Sequence, residues 1–309
     1  MERDEVYAVL GGEHGPVLGE GSVYELLRRR PGIEADPFIG TSALIYDAVG
    51  REALTGVHGG YLDTAADAGL VCLSLTDTWR ASARRIAESA WAGRDVNGDN
   101  ARFLRALTTE RPGARVVIGG LIGPDGDAYL PAEAPDRATA RRLHAPQADA
   151  LAAAGVDLLA SQTLPALDEA LGMSEAMIAT GLPYLMSFVV RADGTILDGT
   201  PLGAVLDALD AMPVPPVTVM ANCVHPSILD AAMAAEPATA GRLTALQANA
   251  AALTPEELDN SEHLISAEPE PFAAAYAEVA RRRGLIAVGG CCGTDVRHLR
   301  ALAAAITAG

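Results

Sequence analysis

The sequence predicts a (β/α)8 barrel formed by one domain over residues 1–309. Three observations support it. Eight short β-rich runs alternate with alanine-rich helical stretches along the whole chain. A chain of 309 residues lies within the range of a single such barrel. The last β-rich run is followed by one more helical stretch, "DVRHLRALAAAIT", which supplies the closing eighth helix.

In order, the expected strands are "VYAVL" (6–10), "LVCLSL" (70–75), "RVVIGGL" (115–121), "VDLLAS" (156–161), "PYLMSFVV" (183–190), "VTVMA" (217–221), "LTALQA" (243–248) and "LIAVG" (285–289). The helical stretches between them include "HGGYLDTAADAG", "ATARRLHAPQADALAAAG", "ALDEALGMSEAMIATG" and "PEPFAAAYAEVARRRG". Each of these ends in glycine just before the next strand, a helix stop followed by a strand start. The proline-rich "AMPVPPV" reads as the loop entering strand six, and the arginine triplets at 28–30 and 281–283 as solvated helix faces or ends. A doubly wound sheet is the competing architecture, but no GxGxxG motif follows the first strand. Residues 19–60 carry the weakest pattern.

Composition narrows the function. Half the residues are apolar, enough for a large core, and only 4% are aromatic. A net charge of −17 with no basic block argues against a phosphate-backbone partner. The charged start "MERDEVYAVL" does not resemble a signal peptide, and no apolar run approaches the ~20 residues of a membrane span. The reading is a cytoplasmic protein, in which four cysteines are core residues, metal ligands or nucleophiles rather than a disulfide framework. A homo-oligomer stays open.

In a (β/α)8 barrel the chemistry sits at the C-terminal ends of the strands. Cys291 and Cys292, in "GGCCGT", follow strand eight, and Cys223, in "MANCVHP", follows strand six. Three thiols distant in sequence would thus meet on one rim. Cys72, within strand two, reads as a buried small hydrophobe. Three thiolates suit Zn2+ with one open position. His225 is a candidate fourth ligand. The alternative for the cysteine pair is a strained vicinal disulfide or two packed thiols. Gly289, Gly290 and Gly293 are expected to let the backbone bend so that neighbouring side chains reach one ion. A zinc held by three thiolates activates water weakly, but it would take an incoming thiol as a fourth ligand and lower its pKa.

These residues resemble the homocysteine S-methyltransferase family. "NCVHP" and "GGCCGT" are similar to its two zinc motifs, and "LTDTWRAS" (75–82), "GPDGDAY" (123–129), "QTLPALDEA" (162–170) and "DGTPL" (198–202) follow in family order. The resemblance implies a (β/α)8 barrel, zinc on Cys223, Cys291 and Cys292, and methyl transfer to a thiol. With no appended cobalamin or folate domain in view, the implied donor is a small onium compound, such as S-methylmethionine, S-adenosylmethionine or a betaine-like molecule. The partners are then a small-molecule thiol and a methyl donor.

The sequence departs from the family pattern at three places. Leu10 stands where the family has an acid after strand one, Gln162 where it has glutamate after strand four, and Asp77 where it has asparagine after strand two. In relatives the two carboxylates hold the ammonium group of homocysteine. Either the charge has moved, to Glu13 or Asp77, or the acceptor is another small thiol without an α-amino group. Thr78 and Asn222 join Glu13, Asp77 and Gln162 as candidate substrate-binding residues. Trp79 is a candidate pocket wall for a methylated cation, and His14 reads as a solvated histidine. A zinc-binding barrel that carries a thiol without turnover is a second hypothesis. A Schiff-base aldolase is a third, disfavoured because the chain contains no lysine.

Overall fold

Eight parallel strands close on one another in sequence order in the computed structural model, which describes residues 1–253 and 266–308. They are β1 (Val17–Gly19), β2 (Val71–Leu75), β3 (Arg115–Ile122), β4 (Leu158–Ser161), β5 (Tyr184–Phe188), β6 (Thr218–Val224), β7 (Leu243–Ala248) and β8 (Ala287–Gly290). The barrel closes where β1 pairs with β8, Val17 opposite Ala287 and Leu18 opposite Val288. Among the described residues, the longer surrounding helices are α3 (Ala48–Asp67), α5 (Val96–Thr109), α6 (Arg137–Ala153), α7 (Leu167–Ala179), α10 (Pro269–Arg283) and α11 (Val296–Thr307). The shorter ones are α1 (Arg3–Leu10), α2 (Tyr24–Arg28), α4 (Ala83–Glu88), α8 (Leu202–Asp210) and α9 (Pro226–Ala235). The fold class is the expected one.

The first strand is not where the sequence suggested. "VYAVL" is the end of helix α1, and β1 is the three-residue run Val17–Gly19. Val6, Val9 and Leu10 recur at helical spacing and are all buried. Asp4 and Glu5 in the first turn suit the positive end of the helix dipole. The apolar face of α1 packs with Val17, Val71, Val117, Leu158 and Ala287, residues of the barrel interior, and so covers the N-terminal mouth.

The apolar residues form two shells. Inside the barrel, Leu73, Leu75, Leu121, Ala160 and Leu185 pack on one another. Between strands and helices lies a larger shell that includes Cys72, Ile118, Leu159, Met186 and Leu246. Strands buried on both sides must be apolar on both faces, which is why they read as runs rather than alternations. Residues 19–60 hold the end of β1, α2, a 3-10 turn at Thr41–Tyr46 and most of α3. Asp47 caps α3 by accepting from the Gly50 amide, and Gly284 ends α10 in the left-handed conformation (φ 68°) after three arginines in its last turn.

Candidate active site and metal centre

Cys223, Cys291 and Cys292 converge at the C-terminal rim, their sulfurs all within 4.8 Å of one another. The Sγ atoms of Cys223 and Cys291 lie 2.8 Å apart. Strand β6 reaches this geometry through an irregularity. Asn222 pairs with Gln247 and Val224 with Ala248, so Cys223 is an extra residue between them. Its φ is +56°, in the left-handed region. A bulge of this kind bends the strand and re-aims a side chain. Thr163, across the rim after β4, is likewise left-handed at φ +64°. Such backbone costs of order 1–3 kcal/mol per residue and is retained only where neighbours hold it. Asn222 is that neighbour. Its Oδ1 accepts from the Thr163 amide and the Ser187 hydroxyl, and its Nδ2 donates to Thr163 Oγ1 and, at 3.3 Å, to Cys223 Sγ.

The β8 cysteines are held by backbone bonds. The Cys291 amide donates to Ala248 O, the Cys292 amide to Asn249 Oδ1, and Thr294 Oγ1 to Cys291 O. Of the three glycines around them, only Gly293 has a left-handed φ, +81°. Gly289 and Gly290 serve close packing instead. A Cβ on Gly289 would sit 2.8 Å from Glu20 O and 2.9 Å from Gly19 Cα, and one on Gly290 would strike Thr294. Strands β1 and β8 approach too closely there for any side chain.

The thiols open onto a cleft of about 840 Å³, counting the part open to solvent. Glu20, Asp77, Gln162 and Gln247 line it from the ends of β1, β2, β4 and β7, with Tyr24, Trp79 and Tyr129 as aromatic walls and His58 from α3. Trp79 meets Tyr24 edge-on at 5.6 Å, and its Nε1 donates to Gln162 O. Asp77 and Gln162 both line the cleft, and Gln162 Nε2 donates to Gln247 Oε1.

Other expectations need correction. Glu13 is exposed in the loop before β1, at the opposite end of the barrel from the thiols. Leu10 belongs to α1, so it does not occupy the position after strand one; Glu20 does, one residue beyond Gly19. A carboxylate therefore does follow β1. Thr78 is buried away from the cleft, donating to Leu121 O. Asn222 braces Cys223 from behind and does not line the cleft. His225 caps α9, accepting from the Ser227 amide, and lies outside the cysteine cluster. His14 is exposed, and Cys72 is fully buried with its thiol pKa pushed up by burial.

The sequence reading passed over Glu20, His58, Tyr129 and Gln247. Glu20 and Gln247 sit at strand ends and were findable once β1 was located; Tyr129 lies within "GPDGDAY". His58 had no signal, being one polar residue on the long helix α3.

Among the described residues, the cleft lining holds the acids Glu20, Glu25 and Asp77 with His58, and no arginine. Glu25 is engaged by Arg28 and Arg29. Glu20 Oε1 accepts from Ser74 at 2.6 Å and meets His58 Nδ1 at 2.9 Å. Burial pushes the His58 pKa down, but the Glu20 charge and hydrogen bond, with Asp77 behind them, outweigh it and raise it overall. Burial raises Asp77 to about 6, against the lowering effects of the Thr41 hydrogen bond and His58. Cys223 is held below the usual thiol range by hydrogen bonds from Cys291 and Cys292, and this charge raises the Tyr129 hydroxyl beside it.

A family model described as homocysteine S-methyltransferase matches residues 17–306. The chain belongs to the homocysteine S-methyltransferase family. As a member it is a thiol S-methyltransferase. Among solved structures it is similar to the homocysteine methyltransferase MmuM from Escherichia coli. The oxidized form of MmuM matches with 24% identity and a TM-score of 0.74, covering 94% of this chain and 95% of that one. The metallated form matches with 22% identity and the same TM-score, covering 94% and 97%. Pyruvate carboxylase from Rhizobium etli shares the barrel more distantly, with 12% identity, a TM-score of 0.50, and coverage of 94% of this chain and 24% of that one. No curated protein sequence gives a significant match. The family match begins at β1 and leaves out α1, in keeping with a barrel that starts at Val17.

Proposed function

We propose that the protein is a zinc-dependent homocysteine S-methyltransferase that takes its methyl group from a small onium donor. The observation that carries this is the meeting of three thiols from β6 and the β8 loop on a cleft whose described lining includes no arginine. The donor set fits zinc. Tetrahedral Zn–S bonds of ~2.3 Å place sulfurs ~3.8 Å apart; the three sulfurs lie within 4.8 Å of one another, and the Cys223–Cys291 pair, at 2.8 Å, would open by about 1 Å to take the ion. Three protein ligands leave a fourth position toward the cleft. Bound there, zinc supplies a positive centre that makes a substrate thiol ionise at neutral pH.

The remaining work falls to the protein's own groups. The aromatic walls keep water from the thiolate and present π-faces to a cationic donor. The acidic lining favours a donor that arrives positive and leaves neutral. The new S–C bond forms as the donor's C–S or C–N bond breaks, and the electron pair leaves on the donor. No general base is needed at transfer, because the thiol proton has already been lost. Glu20 after β1 supports homocysteine over the alternative acceptor, a thiol without an α-amino group, for which the neutral Gln162 after β4 remains the motive.

Elemental analysis tests the metal. The protein should carry about one zinc per chain, Cys223→Ala and Cys292→Ala should lose it, and Cys72→Ala should keep it. Retention of full zinc by both rim variants overturns the assignment. Mass spectrometry of homocysteine incubated with zinc-loaded protein and S-methylmethionine or betaine should show methionine.

A further inference from the structure

We propose that Glu169, held by His144, is a positioning residue for methyl transfer: it tethers the loop after β3 and so sets Tyr129 against the thiols. This rests on the reading of the protein as a homocysteine methyltransferase with an onium donor. The pair lies outside the cleft and joins α6 to α7. His144 is 1% exposed and Glu169 0%. His144 Nε2 meets Glu169 Oε1 at 3.0 Å, and the same oxygen accepts from the Asp125 amide at 2.8 Å. Asp125 stands in "GPDGDAY", the loop that runs from the end of β3 to Tyr129.

Packing alone does not account for this pair. Two of its atoms, Glu169 Oε2 and His144 Nδ1, are buried with no partner among the described residues. A buried acid and imidazole with unmet hydrogen-bonding capacity cost stability, and apolar residues of similar volume commonly fill such a space without loss. What apolar residues lack is an acceptor for the Asp125 amide. That tether is the loop's inward one. The start of the loop is fitted to Trp79: the Gly123 amide donates to Trp79 O, and a Cβ on Gly123 would sit 2.6 Å from Trp79 Nε1. Arg85, from α4, holds the Asp125 carbonyl. Beyond Asp125 the amide bonds are local and exposed, from Asp127 to Glu133 Oε2 and from Tyr129 to Asp127 Oδ1. Tyr129 itself lines the cleft with all three cysteines. A loop loosened at Asp125 would therefore shift the Tyr129 wall and leave the cysteine strands in place.

Variants that keep or remove the acceptor decide the matter. Glu169→Gln keeps an oxygen for the Asp125 amide. Glu169→Leu combined with His144→Leu fills the space without one. Tyr129→Ala is made alone and together with the leucine pair. Steady-state kinetics with homocysteine and S-methylmethionine, hydrogen exchange of the 123–130 amides and thermal unfolding are recorded for each zinc-loaded protein. The leucine pair should lose about 10- to 100-fold in kcat/KM, the effect of a small misplacement near the chemistry, while Glu169→Gln stays within about three-fold of the parent. The leucine pair should also exchange faster at 123–130 and melt no lower than the parent, which a merely structural role would not allow. Added to Tyr129→Ala, it should cost less than about two-fold more, because both changes act through one side chain. Losses that multiply, a glutamine variant as impaired as the leucine pair, or unchanged exchange at 123–130 overturns the proposal. A leucine pair that melts lower or does not fold shows a structural role and overturns it too. A parent with no turnover on these substrates overturns the homocysteine–onium reading, and exchange at 123–130 then decides the tether by itself.

Discussion

At the residue scale, Asp77 is a buried acid whose ionisation costs stability. Its carboxyl titrates at about 6 in the folded chain, above the ordinary 3.8, because it is buried. Glu20 and His58 are the neighbouring charges that act on it, with opposite signs. The unfolded chain therefore releases this proton first, and stability falls as pH rises from about 4 to 6. Below that window the carboxyl is protonated in both states and costs nothing. Above it the cost is complete, roughly 3 kcal/mol for a shift of two units. Asp77→Asn should therefore stabilise the metal-free protein at pH 7.5 by about 1–3 kcal/mol and hardly change it at pH 4. Denaturant unfolding at the two pH values checks this; a variant less stable than the parent at pH 7.5 contradicts it. Active sites often carry such unfavourable groups.

The elements that matter most are the two strands carrying the cysteines, and each solves its problem differently. Strand β6 inserts an extra residue, so Cys223 leaves the pleat and faces the other two thiols. Strand β8 uses glycines so that its end can lie against β1. Adding a methyl at Gly289 would bring it against the backbone of Glu20 and Gly19, which cannot swing aside as a side chain can. Gly289→Ala should push β8 from β1 and displace both Glu20 and the cysteine pair. We expect a loss of about 1–3 kcal/mol in stability and a marked fall in zinc content. Gly69, which has φ +67° and nothing within 4 Å, is the control. Gly69→Ala should cost only backbone strain of about 1 kcal/mol and leave the metal bound.

For the whole molecule, the two ends of the barrel have separate tasks. Chemistry-bearing residues gather at the C-terminal rim, while α1 seals the N-terminal mouth with Val6, Val9 and Leu10. Stability and site should then be separable. Leu10→Ala removes a side chain only 2% exposed, at a cost of about 2–5 kcal/mol. Thermal unfolding should show a clearly lower midpoint, and metal analysis should show unchanged zinc. If zinc falls in step with stability, the two ends are coupled through the barrel. Among the described residues, no helix is long and apolar enough to cross a membrane.

What the sequence determined by itself is the closed alternation of strands and helices and the meeting of Cys223, Cys291 and Cys292. Both follow from local signals. A strand buried on two faces must be an apolar run, and a barrel sends the ends of all its strands to one rim. The tertiary structure alone decided where the first strand lies. "VYAVL" is an apolar run short enough for a buried strand and also has a helix's spacing at Val6, Val9 and Leu10, and only the uncovered mouth of the barrel selects the helix. That one shift moved the acid after strand one from an apparent gap at Leu10 to Glu20, and sent Glu13 to the far end. Packing also assigned the neighbours of the site. Asn222 and Thr78 sit in site motifs but turn their side chains into the wall, whereas His58 reaches the cleft from the middle of a helix. A side chain's direction at a bulge or on a packed helix depends on what it meets in space, and residue order does not encode that legibly.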